Sequence, residues 1–333
     1  MSTSKTHTIA LDAMGGDVAP SVPVAGAVLA ARKGNVNVLL VGDPDAVRAE
    51  LAKHDTAGLS IQVVPSEGVI REGEPPAMAL RGKPRASIAV ATGLVKAGKA
   101  DAVVSMGSTG AAMAAAVLAF GLFPGLERPA LGGPFIGLAP RVSIVDLGSQ
   151  VDCKPLQMLS FGALGSTFSH VYSGVRSPRV GLLSVGSEEG KGNAQVKEAY
   201  ALFKKSGLNF VGNVEGHDIF ADKADVVVCD GFVGNVLLKY TEGLAEAAAR
   251  YLAEALGPRS PAVKAIADLA SLAEQGGGPL FGVNGLSVIG HGRSKAEGVA
   301  GGIDVAARCL ESDLVRRMRD DLAAVMARSG AHA

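Results

Sequence analysis

The sequence predicts an α/β protein with a doubly wound, mainly parallel sheet. Three observations support this prediction. Short apolar runs alternate with helical patterns along most of the chain, several runs are unbroken apolar stretches such as Val226–Cys229, and 48% of the 333 residues are hydrophobic. Strands that are covered on both faces have this unbroken pattern. Alternation of such strands with helices is typical of doubly wound sheets.

The alternation divides into short strand candidates and longer helical candidates. The strand candidates are Thr8–Leu11, Val36–Val41, Ile61–Val64, Ala102–Val104, Val142–Val145, Val180–Ser184, Asn209–Val211, Val226–Cys229 and Ser287–Ile289. The helical candidates between them are Val22–Arg32, Asp45–His54, Ala86–Lys96, Ala111–Leu122, Gln157–Tyr172 and Ala194–Ser206.

Two later segments depart from this rhythm. Thr241–Leu256 is amphipathic, and a second helix is predicted near Ala262–Ala273, followed by a loop at Gly276–Pro279. We therefore expect one α/β domain over residues 1–333 with an inserted helical hairpin at 241–278, which could be a dimer, lid or membrane-contact element. A C-terminal helix is predicted at roughly Ile303–Arg328.

Composition and charge exclude several functional classes. The 32 basic residues balance the 32 acidic ones, and aromatic residues are only 4% with no Trp, so we expect no nucleic-acid partner. The three cysteines have no CxxC spacing, which gives neither a disulfide framework nor a zinc pattern. We expect no metal and no cofactor.

Targeting signals are also absent from the pattern. Met1–Thr8 is polar and does not resemble a signal peptide. The longest apolar run, Ala111–Phe123, is shorter than the ~20 residues that a transmembrane helix needs. We therefore expect a cytoplasmic protein and a buried helix at that run.

Glycine-rich polar loops follow most of the predicted strands. They are Asp12–Asp17, Ser105–Gly110, Asp146–Pro155, Gly186–Asn193, Gly212–Glu215, Asp230–Asn235 and Gly290–Ser294. Because ligands bind at the carboxyl ends of parallel strands, we expect these loops to meet at one edge of the sheet. Small residues at a helix start, as at Ser105–Gly110, present N–H groups to an anion. The loops therefore predict a site for an anion the size of phosphate.

Each loop also has a structural interpretation. Glycines after strands are common turn residues, and Asp12 and Asp17 could simply fix their own turn. His291 could be a capping residue, and Lys191 could pair with neighbouring glutamates. The Gly186–Lys191 segment fails as a phosphate-binding P-loop, because its spacing is one residue short and no Ser or Thr follows the lysine.

The segment from Asp12 to Pro20, Asp-Ala-Met-Gly-Gly-Asp-x-x-Pro, resembles the N-terminal signature of the bacterial acyl-acyl-carrier-protein:phosphate acyltransferases, the PlsX family. Further family motifs follow in order at Arg81–Lys83, Ser105–Ala111, Arg128–Leu131, Asp146–Pro155, Ser177–Leu183, Gly186–Asn193, Gly212–Glu215, Asp225–Asn235 and Gly290–Ser294. The chain departs from the family pattern at Met106 and Ser108, which replace Ala and Asn, and at Ser149-Gln150, which replaces Ala-Asn.

This resemblance implies a specific reaction. Family members transfer a long-chain acyl group from acyl carrier protein to inorganic phosphate, and a membrane glycerol-3-phosphate acyltransferase consumes the acyl phosphate. It also implies a fold similar to the isopropylmalate-dehydrogenase-like and phosphotransacetylase group. A homodimer that contacts the membrane surface transiently, without a cofactor, is implied as well.

Our mechanistic hypothesis is direct attack of phosphate on the thioester, without an acyl-enzyme. The expected catalytic residues are Lys191, Asn193, Asn235 and His291. The expected phosphate-binding residues are Gly15, Gly16, Lys83, Ser105, Gly107, Ser108, Thr109 and Gly110, with Lys191 also contributing. Supporting positions are Asp12, Asp17, Asp146, Asp152, Lys154, Glu188, Asn213, Glu215, Asp230, Gly231 and Gly234.

Several alternatives stay open at this point. Cys153 could be an acyl nucleophile, although no His is near it in sequence. The protein could instead be a short-chain phosphotransacetylase that uses acyl-CoA, a dehydrogenase of the related fold, or a non-catalytic scaffold that binds carrier protein. Arg316, Arg317 and Arg319 could form a basic surface for the acidic carrier, or an ordinary solvated face.

Overall fold

The computed structural model describes residues 6–134, 139, 141–271 and 276–330. The predictions for the first five residues and for the helix beyond Ser271 therefore lie outside the described residues. The chain divides into two compact units. Unit one lies within residues 1–122 and 274–315, and unit two within residues 123–273 and 316–333.

The strands and helices alternate as the sequence predicts. In chain order they are β1 (His7–Asp12), α1 (Ser21–Ala31), β2 (Val36–Gly42), α2 (Pro44–Leu51), β3 (Ile61–Pro65), α3 (Pro76–Gly82), α4 (Ser87–Lys96), β4 (Ala102–Ser105), α5 (Thr109–Phe120), β5 (Ala130–Pro134), β6 (Ser143–Val145), α6 (Pro155–Tyr172), β7 (Val180–Leu183), α7 (Ala194–Lys205), β8 (Phe210–Val214), β9 (Val226–Val228), α8 (Gly231–Leu256), α9 (Pro261–Ser271), β10 (Gly278–Phe281), β11 (Leu286–Ile289), α10 (Ala296–Glu311) and α11 (Leu314–Ser329).

Each unit contains a mainly parallel stretch of sheet. In unit one the strand order is β3-β2-β1-β4-β11-β10, and only β10 runs antiparallel to its neighbour β11. In unit two the order is β5-β6-β9-β7-β8, and only β5 runs antiparallel to its neighbour β6. The predicted mainly parallel α/β class is therefore confirmed.

Unbroken aliphatic strands form the centre of each stretch of sheet. In unit one Ile9, Leu11 and Val104 are fully buried. In unit two Val145 and Val226 are fully buried. Burial on both faces explains why these strands show no apolar–polar alternation in the sequence.

Two strands and one α-helix were not predicted from the sequence. The strands β5 and β10 contain glycine and proline, which are depleted in strands and are more typical of turns. In both cases antiparallel pairing with the neighbouring strand outweighs the low propensity. The third missed element, α3, begins at a proline, which is favourable in the first helical turn.

Two predicted boundaries were wrong. The single C-terminal helix is in fact α10 and α11, because the chain breaks at Asp313, whose φ of 53° is incompatible with a right-handed helix. The long helix α8 begins at Gly231 rather than near Thr241, so the predicted loop Asp230–Asn235 forms its cap and first turn. The helices α8 and α9 pack against each other.

Within the described residues, no helix is both long and apolar enough to span a bilayer.

Candidate functional site

A first group of predicted residues meets at the ends of β1 and β4, which are parallel neighbours in unit one. The Ser105 hydroxyl donates to Oδ2 of Asp12 at 2.8 Å, and the Gly107 N–H donates to the Ser105 hydroxyl oxygen at 3.0 Å. The Met14 N–H donates to the other Asp12 oxygen at 3.2 Å. We call Asp12, Gly15, Ser105 and Gly107 the Asp12 cluster. Asp12 thus joins both loops through one buried carboxylate.

Burial dominates the electrostatics of this carboxylate. Asp12 is 3% exposed, and desolvation raises the pKa of its carboxyl above the usual range. The hydrogen bonds from Ser105 and Met14 act in the opposite direction. Asp12 is buried and accepts hydrogen bonds from both loops, and its predicted supporting role stays a prediction.

The Gly15-Gly16 turn lies directly against the second loop. A Cβ at Gly15 would lie 2.8 Å from the Gly107 nitrogen, and Gly16 has a φ of 106°, so both positions require glycine. The next helix, α5, begins at Thr109 and Gly110, and the Ser108 hydroxyl caps it by accepting the Ala111 N–H at 3.4 Å. Because Ser and Asn are comparable N-caps, the departure at Ser108 keeps this function.

The loop after β11 completes the grouping in unit one. The Asp17 N–H donates to the Gly292 carbonyl, and the Gly290 N–H donates to the Ser105 carbonyl, both at 2.9 Å. Nδ1 of His291 accepts the Arg293 N–H at 3.2 Å. A neutral imidazole that accepts at Nδ1 carries its proton on Nε2, so Nε2 is the donor of His291. The structure therefore brings His291 and the Asp12 cluster onto adjoining loops.

Lys83, which also lies in unit one, forms an ion pair with Glu74. Its ammonium donates to both carboxylate oxygens of Glu74, at 2.9 and 2.7 Å, and to the Val69 carbonyl at 3.1 Å. The Arg71 N–H and the Lys83 ammonium lower the pKa of the Glu74 carboxyl. A phosphate bound by Lys83 would therefore compete with Glu74 for this ammonium.

A second group of predicted residues surrounds Asp146 in unit two. This fully buried carboxylate follows β6 and accepts five hydrogen bonds. One oxygen accepts the N–H groups of Leu131, Gly148 and Ser149 at 3.1, 3.3 and 3.1 Å. The other accepts the Ser149 hydroxyl and the Gln150 N–H at 2.6 and 2.8 Å. Burial raises the pKa of the Asp146 carboxyl, against the effect of these hydrogen bonds.

The first turn of α8 packs tightly on this loop. The Asp230 carboxylate caps the helix by accepting the Val233 N–H at 2.8 Å. A Cβ at Gly231 would lie 2.6 Å from an Asp146 carboxylate oxygen, and a Cβ at Gly234 would overlap the Asp146 carbonyl oxygen. The Asn235 amide nitrogen lies 2.8 Å from where a Cβ on Gly148 would be. The glycines at 231 and 234 thus allow Asn235 to approach the Asp146 loop.

The loop that carries Lys191 is fixed by a buried amide. Asn213, at the end of β8, is 2% exposed, and its side-chain nitrogen donates to the Glu188 carbonyl at 2.9 Å. The Lys191 N–H donates to the same carbonyl at 3.0 Å. Oδ1 of Asn193 caps α7 by accepting the Val196 N–H at 2.9 Å, which leaves its amide N–H groups as donors. Lys191 and Asn193 are exposed on this loop.

The other supporting residues have local partners. The Lys154 ammonium pairs with Glu127 at 2.6 Å. The Asp152 carbonyl accepts the Gln150 side-chain amide at 2.9 Å. The Glu215 N–H donates to Asp218 at 2.8 Å. The structure gives these residues structural contacts in unit two.

Cys153 does not have the environment of a nucleophile. Its side chain is buried, and burial raises the pKa of the thiol to about 12. The nearby carboxylates of Asp146 and Asp230 act in the same direction. Because the thiolate is the reactive form, the neutral thiol expected at pH 7 argues against an acyl-enzyme at Cys153.

Several contributing residues escaped the sequence analysis. Glu74 lies nine positions before its partner Lys83, in a segment with no motif. Gln157 links the Gln150 amide to the Lys154 N–H, with both bonds at 2.8 Å. A hint was available only for Gln157, since it stands three residues after Lys154, the residue that precedes α6, and a capping side chain is common at that position.

Comparison with known proteins gives a consistent result. The model of a family described as "fatty acid synthesis protein" matches residues 7–317. A phosphate acyltransferase of Pelotomaculum thermopropionicum is 45% identical over 327 residues, which cover 95% of each chain. A phosphate acyltransferase of a Cyanothece species is 44% identical over 325 residues, covering 93% of this chain and 94% of its own.

A solved structure supports the fold class. A phosphotransacetylase from Streptococcus pyogenes superposes with a TM-score of 0.62 at 19% identity, covering 92% of this chain and 95% of its own. At this identity the similarity concerns the fold alone.

Proposed function

Because this chain belongs to the phosphate acyltransferase family and is an enzyme of that activity, we propose that its donor is a long-chain acyl group on acyl carrier protein. A phosphate oxygen attacks the thioester carbonyl carbon, the C–S bond breaks, and the carrier thiol leaves as the acyl phosphate forms. A membrane glycerol-3-phosphate acyltransferase would consume this product in phospholipid synthesis, with the enzyme acting in the cytoplasm.

The observation that carries this proposal is the Asp12 cluster beside the start of α5. The Gly15-Gly16 turn lies against Gly107, and α5 begins at Thr109-Gly110, so glycines and small residues form both loops. Such a helix start favours a phosphate-sized anion through N–H groups and the helix dipole. We assign phosphate binding to Gly15, Gly16 and the segment 105–110.

The reaction needs little acid–base assistance. Phosphate is ionised at neutral pH, and a thiol with an ordinary pKa near ~8.5 is a good leaving group. The main tasks are to orient phosphate towards the carbonyl carbon and to stabilise the oxyanion. We assign Lys191 to phosphate, and Asn193, Asn235 or Nε2 of His291 to the oxyanion.

A phosphate-dependence assay tests the function. The purified protein is incubated with palmitoyl-acyl carrier protein, with and without phosphate, and acyl phosphate is trapped as its hydroxamate. We expect hydroxamate only when phosphate is present. Product from acetyl-CoA but not from the carrier substrate would instead select a short-chain phosphotransacetylase, and no product from either donor would select the scaffold function.

Replacing Lys191 with alanine is expected to lower kcat/KM by about 100-fold, because the exposed ammonium is the cation assigned to the reacting phosphate. The circular dichroism spectrum and Tm should not change, since the loop is fixed by Asn213 through backbone carbonyls. Lys197→Ala, which removes an exposed lysine from α7, is the matched control. Near wild-type turnover in Lys191→Ala would overturn this assignment.

The hairpin of α8 and α9 supports the proposed dimer and membrane contact. Exposed apolar side chains recur every four residues along α8, at Phe232, Val236, Tyr240 and Leu244. Among the α8 residues only Gly231 and Gly234 are buried, so this stripe is suited to a second copy of the chain. Near the tip, Leu256 is 58% exposed, and it could enter a lipid surface.

The double substitution Val263→Asp and Ile266→Asp should release the protein from anionic lipid vesicles, because charge on the apolar face of α9 opposes insertion. Vesicle sedimentation measures the bound fraction. Leu118→Asp places the same charge at an exposed apolar position in unit one and should leave binding unchanged. Equal binding by the hairpin variant and the wild type would refute the membrane role.

A further inference from the structure

The Met106 side chain occupies space that two glycines leave open. Met106 follows β4 and is only 2% exposed. A Cβ at Gly290 would overlap the Met106 sulfur and would lie 2.8 Å from its terminal methyl carbon. A Cβ at Gly302, in α10, would lie 2.9 Å from the same methyl carbon. The thioether is therefore packed between the start of the His291 loop and α10.

The neighbours of this side chain belong to the candidate site. In sequence, Met106 lies between Ser105 and Gly107, which are two members of the Asp12 cluster. Gly290 directly precedes His291, and its N–H donates to the Ser105 carbonyl at 2.9 Å. One buried side chain thus contacts the loop proposed to bind phosphate and the loop that carries a proposed oxyanion donor.

The side-chain size at position 106 and the side-chain size at position 290 constrain each other. With methionine at 106, residue 290 cannot carry a side chain, because the Cβ would meet the middle of a buried thioether rather than its free end. With a smaller residue at 106, the space beside Gly290 becomes a cavity that the two loops can close only by moving. Interiors are packed too densely for such a change to be absorbed without displacement.

From this geometry we propose that Met106 is a positioning residue that sets the distance between the phosphate-binding loop 105–110 and His291. This inference rests on the proposed function for the role of the two loops. It does not require Met106 to touch substrate. The family pattern has alanine at position 106. In this chain, methionine at 106 and glycine at 290 would together set the spacing of the two loops.

The test is a double-mutant cycle of Met106→Ala and Gly290→Ala. We expect Gly290→Ala alone to lower Tm by several degrees and to reduce kcat/KM by about 100-fold, the effect of displacing reacting groups by an ångström. Met106→Ala alone should raise KM for phosphate, and this rise should be larger than the loss of stability shown by its lower Tm would explain. The double variant should recover both Tm and kcat/KM relative to Gly290→Ala, since the new methyl group fills the space of the removed thioether.

A matched control separates positioning from stability. Met158 is a buried methionine in α6 of unit two, 1% exposed, and Met158→Ala should lower Tm without changing KM for phosphate. If Met106→Ala changes KM for phosphate no more than Met158→Ala does, the positioning role is wrong. If the double variant is no better than Gly290→Ala, the steric pairing is wrong.

The two hypotheses can fail separately. If the wild-type protein makes no acyl phosphate, the proposed function fails. The rise in Tm that inorganic phosphate produces in each variant then replaces KM as the readout. A smaller rise in Met106→Ala than in Met158→Ala would still support the positioning of an anion site, and an equal rise would overturn it.

Discussion

Gly234→Ala is expected to lower transfer activity strongly and to destabilise unit two. The added Cβ would overlap the carbonyl oxygen of Asp146 and lie 2.9 Å from its carbonyl carbon. Backbone atoms cannot rotate away as a side chain can, so either the first turn of α8 or the Asp146 loop must move. Overpacking of this kind costs about 1–3 kcal/mol or more, and the displaced Asn235 should reduce kcat/KM by at least about 100-fold.

The same helix provides the control. Gly243 lies in α8, and a Cβ there would meet nothing within 4 Å. Gly243→Ala should raise stability by about 1 kcal/mol, because alanine has the higher helix propensity. Urea denaturation and the hydroxamate assay measure both variants. Similar behaviour of the two alanine variants would show that the close packing at Gly234 has no functional consequence.

Asp146→Ala is expected to have the second large effect. It would leave the N–H groups of four residues without their acceptor, and the Ser149 hydroxyl would keep only the Pro129 carbonyl, at 2.9 Å. A buried donor without a partner costs about 1–3 kcal/mol, so we expect a loss of about 5 kcal/mol in the free energy of unfolding after relaxation. The glycine loop and Asn235 would lose their fixed positions, and activity should fall below detection.

A graded series distinguishes hydrogen bonding from simple packing. Asp146→Asn has nearly the same shape and keeps one acceptor oxygen, but its NH₂ group must face donors, so its stability should fall between the wild type and Asp146→Ala. Asp320→Asn, at an exposed ion pair on α11, should change the free energy of unfolding by less than about 1 kcal/mol. Equal stability of Asp146→Asn and the wild type would contradict the proposed role of the carboxylate.

The sequence predicts the fold well where local pattern and tertiary context agree. The aliphatic runs at β1, β2 and β4 are strands, and the Ala-rich run at 111–123 is largely α5. The prediction fails where tertiary context overrides the local secondary-structure propensity. The strand β10 begins with Gly-Pro and forms because β11 offers an antiparallel partner, and that pairing has no local signature.

The candidate site was predictable in its loops but not in its internal contacts. Residues at the carboxyl ends of β1 and β4 could be expected to meet, and Asp12 and Ser105 do. The burial of the Asp12 and Asp146 carboxylates could not be read from the sequence, because it depends on which strands become neighbours. The pairing of Lys83 with Glu74 depends likewise on how an irregular segment folds back.

The way Asp146 holds its loop has a consequence for sequence drift. Four of its five hydrogen bonds come from main-chain N–H groups, which every residue except proline supplies. Substitutions at Leu131 and Gln150 would therefore leave the N–H donors of the carboxylate in place, although a change at Gln150 would remove its side-chain bond to Gln157. Selection should act on Asp146 and on the glycines that admit it far more strongly than on these positions. Among homologues, the amino-acid sequence of this loop can thus change while its backbone geometry stays the same.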